Sequence, residues 1–313
     1  MLALECTGLL AQMAAMPNME SSRARSIDHC VLPVAALSVA RERLHRLGFT
    51  VAADALHPFG TGNCCVFFAD GIYLEPLALA DAGKARESAR TGNVFTARDL
   101  AYRYRCGEDG FSALAFKTDD ANADHVGLLN AGISGGPMLE FARDFTDPAG
   151  KSDTASFRLA FAADLRAPDC FFFACERVRT PQVDRSALHR HANGVTRLKA
   201  VMLTAPRATD FKDFLSAVVI SAPAGPTEHG GSEFQLGNAQ IRLLDDSDFA
   251  TRYGVEPLRD PGLRLRCIIF GVRDTGLLES VLRRSGASYG KHGPTITVPP
   301  AAGQGAFFIF EEE

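Results

Sequence analysis

The sequence predicts an α+β protein assembled from tandem βαβββ modules, four of them in a row. Three observations carry this expectation. Apolar, β-branched runs of strand length recur along the chain, and each of four such runs is followed by a stretch with helical periodicity. The interval from strand start to helix-ending glycine also repeats, being the same from Ile27 to Gly48, from Phe111 to Gly132 and from Leu265 to Gly286. Repetition at fixed spacing is the mark of a modular architecture, because each unit meets the same packing problem with the same solution.

The first unit opens with IDHCVLPV (Ile27 to Val34), a strand by composition. In the segment that follows, Leu37, Ala40, Leu44 and Leu47 fall on one helical face, and Gly48 supplies the stop. Strands are expected at Phe49–Ala53, Asn63–Ala69 and Gly71–Leu79, the last two joined by a tight turn at Asp70-Gly71. The second unit has FSALAFKT (Phe111 to Thr118) as its strand. Asp119 or Asp120 caps a helix that runs to Leu129 and ends at Gly132. Strands near Pro137–Phe145, Ala155–Ala163 and Cys170–Cys175 complete it.

The third unit begins at TRLKAVMLTAP. Pro206 opens a helix that carries Phe211, Phe214, Leu215 and Val218 on one side, and AVVISAP stands where the other units have their glycine. Its strands are expected at Glu233–Leu236 and Ala239–Leu244, with a weaker one before them. The fourth unit has LRLRCIIFGV as its strand, Asp274 as helix N-cap, a buried face of Leu277, Leu278, Val281 and Leu282, and Gly286 as stop. The units imply a flexible extension over 1–25, a first two-module domain over 26–180 and a second over 190–313.

Composition sets the class of partner. The chain has 313 residues, 46% hydrophobic and 22% charged, with a net charge of −4. Charges of both signs are mixed and no basic block occurs, which argues against nucleic acid and leaves small molecules as the expected ligands. None of the eight cysteines forms a CxxC pair, and most lie in apolar runs such as CCVFF and CFFFAC. Buried, reduced thiols in a cytoplasmic protein are therefore expected, not a disulfide framework. The apolar N-terminal stretch contains Glu5, lacks a preceding Lys or Arg, and is too short to span a bilayer, so neither a secretory signal nor a membrane anchor is expected. A homodimer is left open.

Polar residues within apolar strands mark the candidate site. His29 lies in the first strand, where alternation puts Ile27, His29 and Val31 on one face. Glu75 lies in YLEPL, where a carboxylate is costly unless paired or bound to a metal. A shared functional cleft and a buried structural ion pair both account for the two residues. The connection HPFGTGN (His57 to Asn63) reads as a turn and not as a phosphate loop, since no lysine follows and no helix begins there. LHRHANG places His189 and His191 in a linker, where a solvated pair is the common outcome. Glu228-His229 and the acidic C-terminus read as surface.

IDHCVLPV together with HPFGTGNCCVFFADGIYLEPLAL resembles the first module of glyoxalase-like proteins of the vicinal oxygen chelate superfamily, and HANGVTRLKAVML is similar to a second recurring feature of that group. The resemblance implies paired modules curling into half-barrel sheets with helices outside, around a cleft. It implies that His29 and Glu75 are metal ligands, with Glu75 also catalytic. His57, Thr61, Asn63 and His191 become cleft residues. A neutral imidazole and a carboxylate suit iron, zinc, manganese or nickel, acting as a Lewis acid on a small oxygen-rich substrate. The reaction could be that of an isomerase, a lyase or an oxygenase. Departures are visible too. The second module puts Ala113 at the first-strand ligand position and FFFAC in its last strand, and modules three and four have Ala200 and Cys267 at the first-strand position. The second half thus lacks the His-His-Glu set of four-module ring-cleaving dioxygenases. A metal-free protein that binds or sequesters a small molecule is the alternative these departures favour.

Overall fold

The computed structural model describes residues 24–146, 152–181, 184–224, 231–256 and 262–313. Module one comprises β1 (Ile27–Pro33), α1 (Leu37–Arg46), β2 (Asp54–Leu56), β3 (Thr61–Cys64), β4 (Val66–Phe67) and β5 (Tyr73–Leu79). Two helices, α2 (Ala82–Arg90) and α3 (Val94–Cys106), lead to module two: β6 (Ala113–Thr118), α4 (Ala121–Asn130), β7 (Leu139–Thr146), β8 (Ser152–Ala162) and β9 (Phe171–Arg179). Module three has β10 (Val195–Ala205), a 3-10 turn running into α5 (Lys212–Val219), β11 (Ser232–Gln235) and β12 (Gln240–Asp245), followed by α6 (Asp246–Tyr253). Module four is β13 (Arg264–Val272), α7 (Thr275–Ser285), β14 (Gly290–His292), β15 (Thr295–Val298) and β16 (Phe307–Glu312).

The four modules share one pairing rule. In each, the first strand lies parallel to the last, as β1 with β5, β6 with β9, β10 with β12 and β13 with β16. A parallel pair needs a crossover, and the helix and intervening strands supply it. The first strands of paired modules then meet antiparallel, β1 with β6 and β10 with β13. Two sheets result, ordered β2-β3-β5-β1-β6-β9-β8-β7 (with β4 on β5) and β11-β12-β10-β13-β16-β15-β14. This is the paired βαβββ architecture that the repeat implies.

One face of each sheet packs into a common apolar core that includes Ile27, Leu32, Leu44, Phe68, Phe172, Phe270, Phe308 and Phe310. The opposite, concave face of each sheet carries its own cluster. The linker between the sheets is pinned by side chains. Buried Asn193 donates to the Leu47 carbonyl at 2.8 Å, and its own side-chain oxygen accepts from the Val195 amide.

Local departures from the expected elements have identifiable causes. The strand expected at Phe49–Ala53 forms instead at Asp54–Leu56, because Phe49 is drawn into the core against Phe270, Phe308 and Phe310. The strand expected over Asn63–Ala69 is split into β3 and β4, with the Cys65 carbonyl turned to accept from the Ala52 amide. Helices α2, α3 and α6 lie outside the expected elements, although Asp81 and Asn93 cap α2 and α3 in the usual way. In module three the helix stop is Ile220, at φ 52°, where the other modules use Gly48, Gly132 and Gly286. The weak strand before β11 is a single bridge, Ala224 to Glu233. Residues 1–23, and Glu228 and His229, lie outside the described residues, whereas Arg25 donates to the Val218 carbonyl and pairs with Asp124. Among the described residues no helix is long and apolar enough to cross a membrane.

Candidate functional site

The site begins with an irregularity in β1. Its register against β6 slips between Ile27 and His29, so that Asp28 sits at a bulge. A bulge breaks strict alternation and re-aims side chains. Ile27 therefore joins the common core, while His29 and Val31 face the concave side. The expectation that Ile27 shares the face of His29 is corrected by this slip. The same bulge lets the buried Asp28 carboxylate reach its neighbour, with His29 Nδ1 at 2.7 Å from Asp28 Oδ2.

His29 and Glu75 come together at the base of a narrow cavity of about 30 Å³ that opens to solvent at its mouth. His29 Nε2 lies 3.4 Å from Glu75 Oε2. Asn63 Nδ2 donates to Glu75 Oε1 at 2.6 Å, and His57 Nε2 stands 3.7 Å from the same oxygen. His57 Nδ1 meets Thr61 Oγ1 at 2.8 Å. Thr61 is wholly buried behind His57, so Thr61 and Asn63 orient the imidazole and the carboxylate from behind the cavity wall. Rings complete the walls. His29 stacks on Tyr73 at 4.6 Å and meets Phe173 edge-on, and His57 stacks on Phe59 at 5.1 Å. Phe95 from α3 and Phe141 from β7 close the sides.

His191 stands apart from this cluster. Its Nδ1 accepts from the Thr50 amide at 3.1 Å, which places the ring hydrogen on Nε2, 3.1 Å from the Phe67 carbonyl. It ties module one to the linker and does not line the cavity. Burial pushes its pKa down to about 4.

The electrostatics follow from burial. Burial opposes charge on Asp28, but the hydrogen bond from His29 and the Arg177 guanidinium, at 2.7 and 2.9 Å, outweigh it and hold the carboxyl below its usual range. Asp28 is therefore ionised and fixes the His29 hydrogen on Nδ1. His29 Nε2 and Glu75 Oε2 are thereby left facing each other at 3.4 Å. Burial pushes His57 down to about 4; Glu75 acts in the opposite sense, and Arg143 and His29 add to the fall. His57 is thus a neutral imidazole near neutral pH. The nearby Cys65 and Cys175 thiols are pushed up by burial, which leaves them unreactive.

Several site residues escaped the sequence reading. Asp28 lies outside the expected set, although a carboxylate in IDHCVLP carries the same signal as Glu75. Arg143 and Arg177 end alternating runs, Leu139-Phe141-Arg143 and Phe171-Phe173-Cys175-Arg177, that line one face of β7 and β9. An apolar alternation ending in arginine is the pattern that could have found them.

The modular symmetry tests the metal expectation. Val31 pairs with Glu75, and its counterpart Ala115 pairs with Phe173. Module two thus puts Ala113 and Phe173 where module one has His29 and Glu75. His29 Nε2 and Glu75 Oε2, backed by Asp28, are spaced as two ligands of one ion would be. Among the described residues, however, no group of three or more His, Cys, Asp or Glu is arranged to hold a metal. The donor set falls short of a full protein site.

Two βαβββ sheets, one cradling a polar cluster on its concave face, define a protein of the vicinal oxygen chelate superfamily. The glyoxalase-like domain profile matches residues 27–219, more than half of the chain, and the protein belongs to that family. No curated protein matches the chain. Among solved structures, a hypothetical protein from Staphylococcus aureus superposes with a TM-score of 0.62 at 12% identity, covering 92% of this chain and 99% of its own. A mutant 4-hydroxymandelate synthase from Streptomyces coelicolor gives 0.60 at 14% identity, covering 93% of each chain. An Mn(II)-bound glyoxalase from Novosphingobium aromaticivorans gives 0.51 at 12% identity, covering 93% of this chain and 83% of its own. At such identities the likeness is one of fold.

Proposed function

We propose that the protein is an enzyme that moves a proton on a small oxygen-rich molecule held on the concave face of the first sheet. The observation that carries this reading is Glu75. It is a buried carboxylate held by Asn63 at 2.6 Å, with His29 Nε2 at 3.4 Å and a cavity in front of it. Glu75 is the acid–base group, accepting a proton from a carbon or oxygen next to a carbonyl and returning it at a neighbouring atom. His29, its Nδ1 hydrogen committed to Asp28, shares the proton through Nε2. Neutral His57 hydrogen-bonds a substrate oxygen, and the aromatic walls exclude water. His29 and Glu75 would be the protein ligands of a divalent ion, which would supply Lewis-acid polarisation of a substrate oxygen. The superfamily fold of the neighbours supports the reading, as do the donor types.

The second reading is a sequestering protein that binds without turnover. It is favoured by Ala113 and Phe173, which remove the second module's contribution to the cluster. Proton NMR in D2O of vicinal hydroxyketones with the purified protein separates the two. Catalysed loss of a C–H signal, abolished in Glu75→Gln, is expected of the enzyme. Saturable binding with no exchange in any member of the panel contradicts it and supports sequestration. Elemental analysis before and after chelation, repeated on His29→Ala, shows whether an ion joins the pair.

A further inference from the structure

Outside the inner cavity the concave face opens into a narrow, solvent-facing groove whose enclosed part is about 40 Å³. Tyr73, Arg143 and Phe157 border both spaces, so the two are continuous. Four arginines face the groove: Arg143, Arg177, Arg179 and Arg185. Two have carboxylate partners, since Arg177 pairs with Asp28 and Arg179 with Asp153. Arg143 and Arg185 have no carboxylate partner among the described residues, and Arg185 rests on the Phe67 ring at 4.8 Å. Both are partly buried. Burial and the nearby charges of Arg177 and Arg143 all oppose the charge on Arg185. Like charges gathered without counter-charge raise the energy of the empty groove, and an anion placed among them relieves it.

We propose that this groove recognises the carboxylate, or an equivalent oxyanion, of a small aromatic acid, with Arg143 and Arg185 as its binding residues. The ring packs along Phe157 and the edge of Tyr73, and the oxygen-bearing end points inward to Glu75. Arginine is suited to the task because its planar fork meets a carboxylate through two hydrogen bonds. The inner end of this placement rests on the reading of Glu75 given above; the charge preference belongs to the groove alone.

Isothermal titration calorimetry with 3,4-dihydroxybenzoate, catechol and phenyl phosphate tests the inference, with folding checked by circular dichroism. Catechol keeps the vicinal oxygens and lacks the carboxylate. The wild-type protein is expected to bind 3,4-dihydroxybenzoate about tenfold or more tighter than catechol, the scale of a charge-assisted contact. Arg143→Gln with Arg185→Gln is expected to erase that difference, while Arg283→Gln on the exposed face of α7 leaves it unchanged. Tighter binding of phenyl phosphate than of the carboxylate, lost in the same double variant, supports the oxyanion site and assigns it to phosphate esters. Equal affinity for catechol and its acid, absence of saturable binding by either anion, or a preference that survives the double variant overturns the inference. The preference is expected to persist in Glu75→Gln. A protein without turnover can therefore pass this test, and a catalytic one can fail it.

Discussion

The two sheets are built by one rule and finished differently. On the first, the concave face carries His29 and Glu75 in module one, with the cavity before them. On the second, the corresponding first-strand positions are Ala200 and Cys267, joined on the concave face by Met202, Leu244, Ile269 and Ile309. Helix α6 lays Phe249 over them, with Tyr253 and Phe307 at 4.8 and 5.8 Å from its ring. One half-barrel is kept open with polar groups at its base, and the other is closed by an aromatic plug. The same backbone therefore holds either a site or a core, according to what the inward positions of the strands present.

The largest effect expected from breaking this contrast is in the closed half. Phe249→Ala empties the plug and should cost about 3–5 kcal/mol of stability in a denaturant titration, while leaving ligand binding in the first sheet unchanged. In the open half, Asp28→Asn leaves Arg177 and His29 without their shared carboxylate. It should cost about 3 kcal/mol in the same measurement and also weaken ligand binding. A stability loss without a binding effect would make that pair purely structural.

Acid should act on the open half first. His57 stays neutral in the folded protein down to about pH 4, whereas in the unfolded chain it takes up a proton near its ordinary value of 6.5. The unfolded state therefore binds more protons between these values, and stability should fall by roughly 3 kcal/mol as pH drops from 6.5 to about 4. His191 adds a loss in the same window. Asp28 is depressed, so its contribution is present above its unfolded value of 3.8 and is lost as pH falls through the lower folded value. Thermal melts across this range, compared between wild type and His57→Gln, should show a shallower acid slope in the variant. The smallest effect is in module three. Ile220 sits at φ 52°, where a β-branched residue is strained, and Ile220→Gly should raise stability by about 1 kcal/mol.

How much of this was legible depended on the range over which each feature is encoded. The modules were readable because strand, helix and glycine stop recur locally. His29, Glu75, His57 and Asn63 were visible as polar residues inside or beside apolar strands, and the fold brings all four to one cluster. His191 carried no comparable local signal, and its partners, Thr50 and Phe67, lie more than a hundred residues upstream. The roof of the cavity was hidden for the same reason: nothing in the sequence around Phe95 says that α3 will fold over β9. The bulge at Asp28 was invisible because alternation in IDHCVLP looks regular until β6 pairs with it.

In the proposed enzyme Glu75 is kept for chemistry and not for stability. Glu75→Gln preserves the shape and the Asn63 contact while removing the charge, so the direct measurement is its unfolding free energy alongside its proton-exchange activity. Stability is expected to stay within about 1 kcal/mol of wild type, as for a substitution that breaks no packing. Exchange should fall by about a hundredfold or more, the scale of a lost acid–base group. A loss of about 3–5 kcal/mol, as when one partner of a buried ion pair is removed, with no change in exchange, would contradict it and make the His29–Glu75 pair part of the core.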